Sequence, residues 1–435
     1  MNARGLRRTG SFSLGRFASL AAVLAATTLL LGCDSGGHNA LDATTAGSGN
    51  AIAGAGSGGT PAAGGSGNAN AGANAAGANA AGANATGGSS AAGDSLAKKY
   101  ADFFPIGAAI GDFQLDFLDQ VLAQDFNHLT CENAMKAADI HPTEDAYAWA
   151  DADRIADFAR QHAMKMTGHA LLWHQRTPDW MLAGATANDA ASLEVVKGRL
   201  KAHIEAVIAR YADVVDNWDV VNEAISDDPA KQYRDGSEDS KWFEAFGSQE
   251  YIYWAYKYAK DALEAKSPGS SSGKLYYNEY VATTKADKIL KLLAWLKNEK
   301  GIQIDGVGFQ SHENMSWPSV TDLQTAIDKF KTAGYKVKIS ELDITVYSDY
   351  STGSFVASPA VQFTPELEAK QAKRFGDLFA LYRKNKGQIT SVTFWGVSDD
   401  QTWLDSTPVA GRNDFPLLYN DQHAPKAARA ALMAF

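Results

Sequence analysis

NWDVVNEAI (residues 217–225) begins as a core strand and ends as something else. Trp218, Val220 and Val221 supply the large and β-branched side chains of a buried strand. The run then stops at Asn222 and Glu223. A carboxylate is costly to take out of water unless it is paired or hydrogen-bonded. A glutamate placed where a core pattern ends therefore points to a strand whose tip faces a site. VKISELDIT (residues 337–345) repeats the arrangement with Glu341 and Asp343.

Working outward, apolar β-type runs alternate with helical periodicity along the chain. The predicted strands are 104–110, 128–132, 165–173, 215–223, 274–280, 306–312, 337–344 and 389–397. Between them, Leu193, Val196, Leu200, Ile204, Val207, Ile208 and Tyr211 fall on one helical stripe beginning after Ser192. Thr364, Pro365 and Glu366 form a helix start ahead of Leu367, Phe375, Leu378, Phe379 and Tyr382. Eight strand–helix units over residues 98–435 predict an α/β fold, a (β/α)8 TIM barrel. The rival, a doubly wound open sheet, would carry a G-x-G-x-x-G turn after its first strand. GAAIGDF (residues 107–113) lacks that spacing.

In such a barrel the working residues lie at the C-terminal ends of the strands. Seven of the eight predicted ends carry polar or aromatic groups. They are Glu132 and Asn133, with Lys136 beyond; His169, Trp173 and His174; Asn222 and Glu223; Asn278 and Glu279; Gln310 and His312; Glu341 and Asp343; and Trp395, followed by Trp403. Alternate residues of a strand share a face, so His169 with Trp173, Gln310 with His312, and Glu341 with Asp343 can all point inward. Asn222 and Glu223 are neighbours and should face opposite ways, so a bend or bulge is required if both line the site.

Strands four and seven stand on opposite sides of an eight-strand ring, so Glu223 and Glu341 can face each other across its mouth. Paired carboxyls suit glycosidic cleavage, in which the leaving oxygen needs a proton and positive charge develops on the sugar. Differing surroundings keep one carboxyl protonated and the other ionised.

WDVVNEAI and ISELDI, together with GHALLWH, GVGFQSH, TFWGVSDDQTWL, FNHLTCENAMK and PLLYNDQHAPKAARAAL, closely resemble the glycoside hydrolase family 10 endo-1,4-β-xylanases, in order from Phe104 to the end of the chain. The resemblance implies a retaining endo-xylanase without a cofactor. Glu223 would be acid/base and Glu341 nucleophile. Glu132, Asn133, Lys136, His169, Trp173, Asn222, Gln310, His312, Trp395 and Trp403 would bind substrate. Asp343 would fix the His312 imidazole that orients Glu341, and His174 would support the site. The implied partners are xylan and xylo-oligosaccharides, cleaved by a monomer. Ala137 stands where the family commonly has Trp, and Glu279 where it commonly has Asp. Trp317, after strand six, is an added stacking candidate on the aglycone side.

Structural alternatives accompany these readings. Asp219 reads as a buried hydrogen-bonding group, and Trp242, Trp254 and Trp295 as helical core residues. His169 and His174 lack H-E-x-x-H spacing, so no metal is expected. A net charge of −10 argues against nucleic acid. Two other functions compete: a related retaining endo-β-glucanase, and a surface xylan-binding protein without turnover. The second normally requires loss of a catalytic carboxylate.

The N-terminus reads as export machinery. Arg4, Arg7, Arg8 and Arg16 flank or precede an apolar run, residues 17–31, that ends in LLGC at Cys33. This pattern describes a secretory signal of lipoprotein type, residues 1–33, with Cys33 as the lipidated residue. Residues 34–97 are rich in Gly, Ala, Asn and Ser, with ANAAGANAAGANATGG repeating every five residues. Such a segment has little to bury and reads as a flexible tether. Cys131 is left without a disulfide partner. The expected location is outside the cytoplasm, held to a membrane by the lipid or otherwise secreted.

Overall fold

The computed structural model describes residues 95–268, 273–348 and 360–435. The signal segment, Cys33 and the repeat-bearing tether lie outside the described residues. Ser95 caps a short helix, Leu96–Lys99, by accepting the Lys98 N–H.

Eight parallel strands close into a barrel: β1 (Ile106–Ile110), β2 (His128–Cys131), β3 (Lys165–Trp173), β4 (Val215–Asn222), β5 (Lys274–Glu279), β6 (Gly306–Phe309), β7 (Lys336–Thr345) and β8 (Ile389–Phe394). Each pairs with the next in sequence, β6 pairs with β7, and β8 returns to β1. The expected (β/α)8 TIM barrel is the fold.

Several predicted ends move, for local reasons. β1 starts at Ile106 rather than residue 104: the Phe104 N–H is spent on Tyr100 in a helical turn, and Pro105 has no N–H. β6 stops at Phe309 because Ser311 takes a left-handed φ of 59°, and pairing resumes only over His312–Asn314, against β7. β8 ends at Phe394, two residues before Gly396 at φ 130°. The helix expected after Ser192 spans Ala190–Tyr211, because Asp189 caps it by accepting the Ser192 N–H at 2.9 Å. Thr364 caps the Pro365–Lys384 helix as its sequence suggests.

The helices lay their apolar stripes on the barrel's outer face. Val196, Leu200, Ile204, Val207, Ile208 and Tyr211 of one helix are buried, as are Phe375, Leu378, Phe379 and Tyr382 of another. Trp242 and Trp295 are buried, whereas Trp254 is only half-buried against the core. Inside the barrel, below the mouth, lies a polar layer. Lys338 places its ammonium 2.8 Å from Asp219 and 2.7 Å from Asn217, and Asp219 also receives His169 Nδ1 at 3.1 Å. Asp219 is thus the buried hydrogen-bonding group its sequence position suggests. Cys131 is buried and free.

Candidate active site

The bend required between Asn222 and Glu223 exists. Register breaks occur between His169 and Leu172 on β3 and between Asp219 and Val221 on β4. Glu223 itself takes a φ of 56°, uncommon for a non-glycine residue. Its N–H still reaches the Asn278 carbonyl of β5 at 3.0 Å. The turn lets neighbouring side chains serve one site: the Asn222 amide donates to Glu223 Oε1 at 3.2 Å.

Glu223 gathers two further neutral donors. Trp173 Nε1–H, from the tip of β3, donates to Oε2 at 2.9 Å. Gln310 Nε2–H, just past β6, donates to Oε1 at 2.8 Å. Glu341 lies within β7 and is held differently. Asn278 Nδ2–H donates to its Oε1 at 2.6 Å, and His312 Nε2 lies 3.3 Å from Oε2. The same Asn278 amide donates to Asn222 Oδ1 at 3.0 Å. Two asparagine amides therefore bridge the carboxylates of strands four and seven. Gly308 makes room for the bridge: a Cβ there would lie 2.1 Å from Asn278 Oδ1.

His312 sits between two carboxylates, with Nδ1 2.8 Å from Asp343 Oδ2. Burial disfavours its charge, but the Asp343 charge and the hydrogen bonds to Asp343 and Glu341 prevail and raise it to about 10. With an acceptor at each nitrogen, the ring is an imidazolium donating both ways. Burial likewise pushes Glu341 upward. The His312 hydrogen bond, with the charges of His169, His312 and Lys136, overcomes that push and holds the carboxyl below its ordinary value. Trp403 Nε1–H donates to Asp343 Oδ2 at 2.8 Å, and its ring centre lies 4.9 Å from that of His312.

At the β2 rim, Lys136 donates to Asn133 Oδ1 at 3.1 Å. Its ammonium lies 4.8 Å from the Trp173 ring centre and 5.8 Å from that of Trp395. Burial pushes Glu132 up and Lys136 down, each opposed by the other's charge. Trp395 meets His169 edge-on at 5.3 Å. Apart from Glu279 and His174, the predicted rim groups thus lie together at the barrel mouth. Burial and the nearby charges of Arg234 and Lys285 hold His174 well below its ordinary value, and its Nδ1 is buried without a partner among the described residues. Trp317 lines a cavity beside His312 with Val281 and Ser311.

Sequence reasoning left out the groups behind Glu223. Arg234 Nε donates to the Glu223 carbonyl at 3.2 Å, and its guanidinium pairs with Asp227 at 3.1 Å. Lys285 lies 2.8 Å from Asp227 and 3.0 Å from Glu279. Glu279 is fully buried, faces away from the mouth, and accepts the Tyr277 hydroxyl and, at 3.3 Å, the Ile225 N–H. These residues brace the left-handed turn that carries Glu223. YNEY (residues 277–280) marked strand five as unusual, but not that Asn278 would face the site and Glu279 its support.

The sequence pattern of glycosyl hydrolase family 10 matches residues 95–435. Endo-1,4-beta-xylanase A of Caldicellulosiruptor saccharolyticus is 40% identical over 346 residues, covering 78% of this chain and 96% of its own. A solved endo-1,4-beta-xylanase from Caldicellulosiruptor owensensis superposes with a TM-score of 0.70 at 39% identity, covering 78% of this chain and 99% of that one. A mutant structure in complex with xylotriose gives a TM-score of 0.69 at 38% identity, covering 79% and 100%.

Proposed function

Since the chain belongs to glycosyl hydrolase family 10, we propose that this glycoside hydrolase is an endo-1,4-β-xylanase acting with retention of anomeric configuration. The observation that carries the reading is the amide-bridged pair Glu223 and Glu341 at the barrel mouth. Their surroundings suit different tasks. Glu341, kept ionised by the His312 imidazolium, attacks the anomeric carbon. Glu223, ringed by neutral donors, gives its proton to the departing oxygen. It then takes a proton from the water that hydrolyses the glycosyl ester. Retention by this route calls for carboxyls roughly 5–5.5 Å apart.

In this reading Asn222 hydrogen-bonds the sugar 2-hydroxyl, a contact that strengthens as charge develops. Glu132, Asn133, Lys136 and His169 offer donors and acceptors to hydroxyls on the glycone side, and Trp173, Trp395 and Trp403 offer aromatic faces. Trp317 extends the surface toward the aglycone. The test is xylan hydrolysis followed by NMR of the first anomer released, with Glu223→Gln and Glu341→Gln as controls. Inverted product, or full turnover by either variant, would overturn the assignment. No hydrolysis by the wild type, with xylan still bound, would favour the surface binding protein.

The chain is further proposed to be exported and held to a membrane by lipid on Cys33, supported by the LLGC stretch and the tether behind it. Cys33→Ser should move activity from the membrane fraction to the soluble one. Unchanged fractionation would refute the anchor.

A further inference from the structure

Few large apolar side chains among the described residues are exposed, and two of them share one turn. Phe113 is 49% exposed and Phe117 is 40% exposed, with ring centres 6.3 Å apart. Phe113 lies in the 3-10 helix Asp112–Asp116 and Phe117 caps its C-terminal end; only Gly111 separates this turn from β1, so it belongs to the catalytic rim. β1 lies between β2 and β8 in the barrel. The pair therefore occupies the rim sector between Glu132, Asn133 and Lys136 on one side and Trp395 and Trp403 on the other. The Glu132 N–H donates to the carbonyl of Ile110, the last residue of β1, at 2.9 Å, so the β2 rim residue pairs with the strand end from which the turn departs.

Both rings are braced. Phe113 lies over Gly111, where a Cβ would stand 2.5 Å from its ring, and Gln114 closes the turn by accepting the Gly111 N–H at 2.8 Å. Phe117 stacks on His423 at 5.3 Å and 18°. His423 in turn lies 3.4 Å from Asp400, in the loop that leads to Trp403. Arg154 ties the turn's flanking carboxylates, Asp112 at 3.3 Å and also Asp116. Exposed aromatic surface costs solubility, and a rigid pair of rings flanked by hydrogen-bonding groups is the surface that stacks sugar faces.

We propose that Phe113 and Phe117 form a distal glycone platform for β-1,4-linked pentose chains, engaging units beyond those held by Glu132, Asn133 and Lys136. The occupant follows from continuity with the catalytic groove, and the proposal rests on the xylanase reading above. The platform contacts only long substrates, so it acts on their binding and not on bond cleavage.

The test compares wild type with Phe113→Ala/Phe117→Ala on linear xylan and on an aryl β-xylobioside too short to reach the turn. KM for xylan is expected to rise by roughly twofold to tenfold for each stacked ring lost, with kcat unchanged. Both constants for the xylobioside should stay at wild-type values. Phe113→Trp/Phe117→Trp should keep the low KM for xylan. An unchanged KM on xylan, or an equal rise on both substrates, would overturn the platform. Wild-type protein that cleaves neither substrate would refute the xylanase reading and the platform with it.

Discussion

Replacing Lys285 by methionine tests the bracing of Glu223 most sharply, because it removes one charge and keeps most of the volume. Lys285 is 6% exposed and its ammonium lies between Asp227, at 2.8 Å, and Glu279, at 3.0 Å. Glu279 is fully buried, so its remaining partners would be the Tyr277 hydroxyl and the Ile225 N–H. Removing one member of a buried ion pair typically destabilises by about 3–5 kcal/mol, because the other charge is left uncompensated. The loss should depend on pH in a definite direction. Burial already raises Glu279 above its ordinary value, with Lys285 the largest opposing influence. Without Lys285, the folded state holds the Glu279 proton still more tightly than the unfolded state does, so stability falls as pH rises through the carboxylate range. Asp227 adds to the same trend. Despite its burial, Lys285 and Arg234 hold it below its ordinary value, and that contribution is present above the unfolded carboxylate pKa. Urea denaturation of the variant and wild type from pH 4 to pH 8 should give the largest gap at the alkaline end and a smaller one near pH 4. Lys285→Met/Glu279→Gln should recover part of the stability. A gap independent of pH, or one below about 1 kcal/mol against the expected loss, would refute the reasoning.

Substituting His312 by asparagine should move the acid limb of the kcat/KM profile on xylan to higher pH. The variant leaves burial of Glu341 without its principal opponent, so the carboxyl protonates earlier as pH falls; an unmoved limb would show that His312 does not set the ionisation of Glu341. Gly308→Ala places a methyl 2.1 Å from Asn278 Oδ1 and should displace the bridging amide. It is expected to lower kcat/KM as Asn278→Ala does, by roughly tenfold to a hundredfold, the span of a hydrogen bond to a charged group. Wild-type turnover by Gly308→Ala would mean that the bridge tolerates the methyl or is not needed.

The barrel and most of its rim were legible because their signals are local and repeated. Strand-length apolar runs ending in polar pairs recur around the chain, and Asn222, Glu223, Glu341 and Asp343 stand out against them. Asn278 and Glu279 show where legibility stops. Both sit at one strand end, yet one faces Glu341 and the other faces Lys285. Strand alternation says that they part company but not which way. That choice depends on the register across β4 and β5, including the break between Asp219 and Val221. Arg234, Asp227 and Lys285 were out of reach for a related reason. Their spacing follows no periodic pattern, and only the folded loop and the Ala282–Asn298 helix bring them together behind Glu223.

The two carboxyls also differ in how the backbone holds them, and this difference bears on their proposed roles. Glu341 sits inside β7, with strands on both sides and a cation beside its carboxylate, so its position and its charge are both fixed by regular structure. Glu223 stands just beyond the end of β4, in a left-handed conformation that a β-carbon disfavours. Its carbonyl is anchored by Arg234 and its carboxyl by three neutral donors from three strand tips. A nucleophile needs a fixed line of approach and a lasting negative charge. A group that gives up a proton and takes one back needs partners that hold it in place through both states. The Trp173 indole and the Asn222 and Gln310 amides, reaching it from three directions, hold the carboxyl in place. The strain at Glu223 is therefore coupled to the site itself. The left-handed turn brings its carboxyl to the same side as Asn222, and the buried ion cluster behind it keeps the turn from relaxing.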